Sequence, residues 1–282
     1  MATIEVVSAQ RGIPSVWVEI DGIDDRQVTE AKRHFDELLE SEKQISDAVA
    51  LAFVNIVNVC PAANPSDLWQ HVIYRHACYL GFSDNRWKRI SGYALERALV
   101  ALYKSRLETH GIRMRIVDKD EANRLLEKLG VAGVRSTKVD IFIEGYRDDR
   151  WVVFGGAHVK ASIAERIVDD VPASLAFMQR GLLSVALTMD SKSYPPPHGN
   201  GVNWGEFGAR SAGVEKERLK RGYIEVAGNF DGLFSYNLRT PPSPANTQSG
   251  KRIWTLSLAQ NPDPFVDMLV QRWASHPNAI VP

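Results

Sequence analysis

Asp140 and Lys160 are the residues whose types and spacing carry the most chemistry in this sequence. The aspartate lies near the start of one apolar run, Lys138-Val-Asp-Ile-Phe-Ile-Glu144. The lysine ends a second, Gly155-Gly-Ala-His-Val-Lys160. In an antiparallel hairpin the start of the first strand lies beside the end of the second, so both side chains are expected at one sheet edge. A carboxylate there could hold Mg²⁺ (magnesium) against a phosphodiester, with the ammonium charging the attacking water and the developing oxyanion. Such pairs also decorate ordinary strand ends, and the pair alone is a weak signal. Glu165 and Arg166 follow from the same corner. A carboxylate accepts from cytosine N4 amino groups and an arginine donates to guanine O6 and N7, so this pair suits a reader of C and G. The plainer reading is a helix-terminal charge pair beside Asp169 and Asp170.

Positioning these groups requires the two runs, 138–144 and 150–160, to be neighbouring strands joined by the turn Gly145-Tyr-Arg-Asp-Asp149. Five residues separate Asp140 from Gly145 but ten separate Lys160 from Arg150, so a bulge near Gly155-Gly156 or an overhanging strand is needed. Period-2 spacing puts His158 with Lys160 on one face, and Asp140 with Phe142 and Glu144. Before this pair the spacing predicts strands within 4–20 and helices over 28–42 and 45–59, the latter stopping at Cys60-Pro61. A helix capped by Ser66 runs through Trp69 and Tyr79, and one opened by Ser91-Gly92 runs from Tyr93 to about Leu107 with Glu96 in its first turn. A strand at 112–117 and a charged helix at 120–129 follow. Beyond Arg166 we expect a short helix after Pro172, a strand from Leu182 to Met189 and a long loop over 191–222. Strands near 223–227, 233–238 and 252–258 precede a last helix from about Pro264 to Trp273. The alternation argues for a single α/β domain over 1–282, a mixed β-sheet flanked by helices, with a mainly helical N-terminal elaboration over about 1–85.

Composition narrows the class. At 282 residues and 44% hydrophobic the chain can bury a large core. Lys+Arg and Asp+Glu are both 34, which counts against an indiscriminate polyanion binder and leaves room for a specific one. Cys60 and Cys78 read as buried thiols of a reduced protein without metal-ligand spacing. No secretion signal or membrane-spanning run is visible, so a soluble cytoplasmic protein is expected.

Several longer segments extend the pattern, among them Arg89-ISGYALERALV-Ala101, Gly155-GAHVKASIAERIVDDVPAS-Leu175 and Phe234-SYNLRTPPSPANTQSG-Lys251. From about Cys60 to Ile253 the chain resembles the type II restriction endonucleases of the PD-(D/E)xK superfamily, in the group whose targets contain CCGG. The resemblance implies a restriction-endonuclease-like fold. It implies Asp140 as the metal-binding acid, Lys160 as the catalytic lysine and Glu96 as a glutamate brought up to the metal site. It also implies Glu165 and Arg166 as readers of CCGG, and Arg89 as a DNA contact, although a solvated arginine reads equally well there. The implied reaction is Mg²⁺-dependent hydrolysis of both strands of a palindrome containing CCGG, with A-CCGG-T as the first expectation, leaving 5′-phosphates on four-base 5′ overhangs. A homodimer on DNA and a cognate DNA methyltransferase follow as partners.

Three departures from the family pattern stand out. His158 replaces the acid two residues before the lysine. The compensating glutamate of CCGG enzymes is missing from Pro172-Ala-Ser-Leu175, leaving Asp170 and Glu225 as candidates. Ala164 stands where many relatives carry a basic residue, so a second guanine contact falls to Arg239 or Arg89. Basic residues at Lys216, Arg218, Lys220, Arg221, Lys251 and Arg252 would suit phosphate contacts or a solvated surface. The loop Tyr194-Pro-Pro-Pro-His198 reads as a DNA clamp or a rigid connector. Two rival functions remain at this stage: a repair nuclease of the same fold, and a DNA-binding protein that does not cleave.

Overall fold

Ile141 and Ile143 turn to one side of their strand and Phe142 to the other, and all three are buried. A strand buried on both faces belongs in the middle of a sheet covered by helices on both sides. A computed structural model describes residues 1–7, 12–42, 44–131, 133–135, 138–162, 167–207 and 219–277. In it, β1 (Ala2–Val6) and β2 (Val16–Ile20) form a small antiparallel pair. The main sheet has six strands in sequence order: β3 (Ile112–Arg115), β4 (Ile141–Arg147), β5 (Arg150–Lys160), β6 (Leu183–Thr188), β7 (Gly232–Ser235) and β8 (Ile253–Thr255). The β3–β4–β5 half is antiparallel and the β5–β6–β7–β8 half parallel, which bears out the mixed sheet.

One face packs against α1 (Asp25–Ser41), α2 (Ile45–Val59) and α5 (Asp84–Glu108) in a core that runs from Ala2 to Trp273. Three segments lead into α5: α3 (Pro65–Asp67), a π-helical run Leu68–Tyr74 and α4 (Arg75–Tyr79). Trp69 joins them to the core, edge-on to Phe53 at 5.0 Å and 5.6 Å from Trp87. The other face is covered by α6 (Lys119–Lys128), α7 (Ile167–Gln179) and α8 (Leu219–Glu225), and α9 (Pro264–Ala274) closes the chain. Among the described residues no helix is long and apolar enough to cross a membrane.

Several boundaries differ from expectation for local physical reasons. Asn64, not Ser66, caps α3, because its side chain accepts from Ser66 N and Pro65 takes the first helical position. Helix α5 begins at Asp84 under the Ser83 hydroxyl, so Glu96 lies deep in the helix and not in its first turn. Helix α7 begins at Ile167, with Pro172 inside it. The segment expected as a strand near 223–227 falls mostly in α8. Cys60 is buried, but Cys78 is exposed.

Candidate active site

The turn between β4 and β5 is tighter than the sequence suggested. Its two residues, Asp148 and Asp149, adopt left-handed backbone at φ 50 and 58, the geometry of a two-residue hairpin. The surplus length in β5 is taken up by a bulge: Ile143 pairs with Gly155 but Glu144 with Val153, leaving Phe154 as the extra residue. That shift brings Asp140 opposite the end of β5. The Asp140 amide donates to Ala157 O at 3.2 Å. In return Asp140 Oδ2 accepts from Val159 N at 2.6 Å and from Lys160 Nζ at 2.9 Å. Gly155 and Gly156 permit the close packing, since a Cβ at Gly155 would stand 2.8 Å from Leu183 Cβ and one at Gly156 2.9 Å from Val139 Cγ1.

Two further acids converge here. Because α7 starts early, Asp170 sits in its first turn and places Oδ2 3.0 Å from Lys160 Nζ. Lys138 lies 3.6 Å from the other Asp170 oxygen. Of the two candidates for a second acid, Asp170 is in the site. Glu225 is held elsewhere, by Arg221 at 2.6 Å and Ser243 Oγ at 2.6 Å. From α5, Glu96 lines the same cleft as Asp140 and Lys160. Burial, reinforced by the negative charge of Asp140, pushes the Glu96 carboxyl up to about 8. Burial pulls the Lys160 ammonium down, but Asp140 and Asp170 outweigh it and hold the group above its ordinary value. The lysine is therefore a fixed positive charge at neutral pH.

His158 turns away from this chemistry. Its Nε2 lies 3.2 Å from Ser184 Oγ, its ring stands edge-on to Phe230 at 5.4 Å, and burial lowers its pKa. The imidazole is a core residue where the family usually has an acid.

The cleft over the site measures about 950 Å³ and is open to solvent. Its walls carry Arg89 and Tyr93 from α5, Lys119 from α6 and Lys192 from the loop after β6. Arg89 is exposed, as a DNA contact requires. Sequence reasoning missed Lys138, Tyr93, Lys119 and Lys192. Only Lys138 had a readable signal, two residues before Asp140 in the same apolar run. Arg239 forms a 2.6 Å ion pair with buried Asp67. Lys220 pairs with Glu206 at 2.7 Å and Lys251 with Asp231 at 2.6 Å, while Arg221 is engaged by Glu225 and Arg252 lies over Trp254. These cations are already partnered, against the reading of that run as open phosphate contacts. Glu165, Arg166, Lys216 and Arg218 lie outside the described residues. In the loop of residues 194–198, His198 N donates to Pro195 O at 3.0 Å.

The donor set also speaks to metal type. Among the described residues no three His, Cys, Asp or Glu side chains gather as a self-sufficient metal cage. Hard carboxylate oxygens on one side of an open cleft suit Mg²⁺, which commonly takes one or two carboxylates, keeps several waters and completes its shell with substrate phosphate. No described residue bonds Asp140 Oδ1, leaving that oxygen for such an ion.

The chain is 43% identical over 268 residues to the type II restriction enzyme AgeI of Thalassovita gelatinovora, covering 91% of this chain and 95% of that one. It belongs to the type II restriction endonucleases. No protein-family model matches it. The solved structure of AgeI in a specific DNA complex aligns with a TM-score of 0.87 at 40% identity, covering 96% of this chain and 99% of that one. A structure of BsaWI with DNA aligns at TM-score 0.45 and 18% identity, covering 88% and 93%. The endonuclease has the restriction-endonuclease-like α/β fold and is a site-specific deoxyribonuclease. The rival reading as a DNA-binding protein that does not cleave is set aside.

Proposed function

We propose that the endonuclease hydrolyses both strands of double-stranded DNA at a palindromic site containing CCGG, using Mg²⁺ and leaving 5′-phosphate ends. The observation that carries this reading is the Lys160 ammonium, 2.9 Å from Asp140 and 3.0 Å from Asp170 on the floor of an open cleft. Asp140 and Asp170 would hold the metal, which when bound supplies positive charge to the scissile phosphate, and Glu96 lines the same cleft. Lys160 presents its charge to the attacking water and to the oxyanion that develops. Glu165 and Arg166, a few residues beyond Lys160, read the C·G pairs in the major groove, and Arg89 on the cleft wall contacts the DNA. Two copies acting as a homodimer match the two-fold symmetry of the target. A cognate methyltransferase protects host sites, as a cytoplasmic enzyme of this class requires.

Digestion of a defined plasmid, followed by run-off sequencing of the ends, tests the reading. With Mg²⁺ we expect discrete fragments broken within CCGG-containing palindromes, A-CCGG-T foremost, and with Ca²⁺ binding without cutting. Ends scattered outside CCGG would refute the assigned target and favour a structure-directed repair nuclease. Glu165→Gln puts a donor where cytosine needs an acceptor, and should cost about 1–3 kcal/mol of discrimination in competition binding. Unchanged preference for C·G would remove Glu165 from the reading head.

A further inference from the structure

Gly92 lies inside α5, one turn from Arg89 and one turn from Glu96, and lines the cleft with both. Glycine is the poorest helix former after proline, because it loses the most backbone freedom on folding. Packing does not call for it here, since a Cβ built at Gly92 meets no atom within 4 Å. Nearly every other described glycine has a reason in the fold. Some adopt left-handed backbone, as Gly111 and Gly130 do. Others abut a neighbour, as Gly145 does against the Trp273 ring and Gly232 against Trp254. Gly222 in α8 shares the open surroundings but does not line the cleft. Gly92 alone among the described glycines combines a helix interior, open space and a place in the cleft wall.

Its neighbours say what the space is for. Residues 89, 92, 93 and 96 share one face of a helix by their spacing. On that face Arg89 is a cation, Tyr93 is 64% exposed and Glu96 lines the cleft within the field of Asp140. A bare stretch of helix between a cation and an acid over the hydrolytic centre suits an anionic chain that must approach closer than a side chain allows. The sugar–phosphate backbone is that chain, because the phosphate to be cut must reach Lys160 and Asp140 below.

We propose that the sugar–phosphate backbone of the cleaved strand rests directly on the α5 main chain at Gly92, so that the missing side chain sets how deeply DNA seats over Lys160. This makes Gly92 a positioning residue, and it rests on the reading of Asp140, Lys160 and Glu96 as the hydrolytic centre. A methyl group there would lift the strand by roughly 1 Å, a displacement that can cost about 10²-fold in a reaction needing in-line geometry.

The test is a size series, Gly92→Ala and Gly92→Leu, in the full-length enzyme. Thermal unfolding, DNA affinity with Ca²⁺ and single-turnover cleavage with Mg²⁺ are measured for each. Alanine and leucine are better helix formers, so both variants should melt above wild type. Affinity for target DNA should nevertheless weaken, more for leucine than for alanine, and cleavage at saturating DNA should slow as well, by about 10²-fold for alanine. Unchanged affinity in both variants overturns the proposal. Weaker binding together with a lower melting temperature assigns Gly92 to the fold and also overturns it. Slower cleavage at saturating DNA with unchanged affinity points to a disturbed Glu96 and does the same. Asp140→Asn is the separate control on the underlying reading: undiminished cutting there dismisses the hydrolytic centre, whereas the Gly92 affinity series is scored without any cleavage.

Discussion

Two buried acids, Asp190 just past β6 and Glu96 in α5, meet the same problem with opposite solutions. Burial pushes Asp190 up to about 7 and Glu96 up to about 8. Asp190 is then saturated with donors: its Oδ1 accepts from Glu206 N at 2.6 Å, and its Oδ2 from Thr240 Oγ1 at 2.7 Å and Phe207 N at 3.3 Å. Its carbonyl takes Asn237 Nδ2 at 3.1 Å. One carboxylate thereby ties the end of β6 to the loop at 206–207 and to the turn after β7. Glu96 receives no hydrogen bond from any described residue and faces a cleft. An acid whose polar demand is met inside the protein serves the fold, and one left wanting waits for something from solution.

The largest expected effect lies on the functional side. Asp140→Asn keeps an oxygen for Val159 N but removes the charge that holds Lys160 and would hold the metal. Cleavage should fall by ~10³-fold, as for loss of a principal electrostatic group, while affinity for target DNA persists. Single-turnover cleavage beside a binding isotherm in Ca²⁺ decides it, and turnover near wild type would take Asp140 out of the chemistry. On the structural side, Asp190→Ala leaves three donors without their acceptor in a site that is fully buried. Urea unfolding should show a loss of about 3 kcal/mol, the scale of orphaned buried polar groups. Cleavage per folded molecule should stay near normal. Were Asp190→Ala to spare stability and abolish cutting, the contrast between the two acids would be inverted.

How far these roles were legible depends on how local their causes are. Asp140 and Lys160 could be paired from sequence because strand order and the count of intervening residues demanded a bulge, which formed at Phe154 beside the glycines expected to host it. Glu96 reaches the cleft, but from deep inside its helix and not from a first turn. Ser91-Gly92 looks like a helix start by propensity, whereas α5 runs straight through it from Ser83, since propensity is weak against a core holding Trp87, Leu95 and Leu99. The same mistake left Asp170 undecided against Glu225: reading Pro172 as the helix start left the preceding turn, which aims Asp170 at Lys160, without structure. Tyr223-Ile-Glu-Val alternates like a strand but falls mostly within α8, and Glu225 went with it. Charges were legible as a count and not as pairs, since Lys220 finds Glu206 and Arg239 finds Asp67 only through the fold.

The smallest expected effect separates the two acids by pH. An acid raised by the fold binds more protons folded than unfolded between its ordinary and its raised pKa, so stability falls as pH rises through that window. For Glu96 the window runs from 4.5 to about 8. For Asp190 it runs from 3.8 to about 7. In wild type without Mg²⁺ these two acids therefore withdraw stability between pH 5 and pH 9. Against them act the buried histidines His71, His158 and His276, whose lowered pKa values add stability as pH rises toward 6.5. Glu96→Gln, which mimics the protonated form, should lose about 2 kcal/mol less over the same range, roughly half of the full conversion because the open cleft admits water. The variant keeps the Asp190 share of the slope, so the difference between the two curves isolates Glu96. Adding Mg²⁺ should flatten the wild-type curve and leave the variant's nearly unchanged, because a cation that ionises Glu96 removes the cost of its bare charge. Parallel curves for wild type and Glu96→Gln, with or without Mg²⁺, would mean that Glu96 is as settled in the fold as Asp190, and the distinction between them would fail.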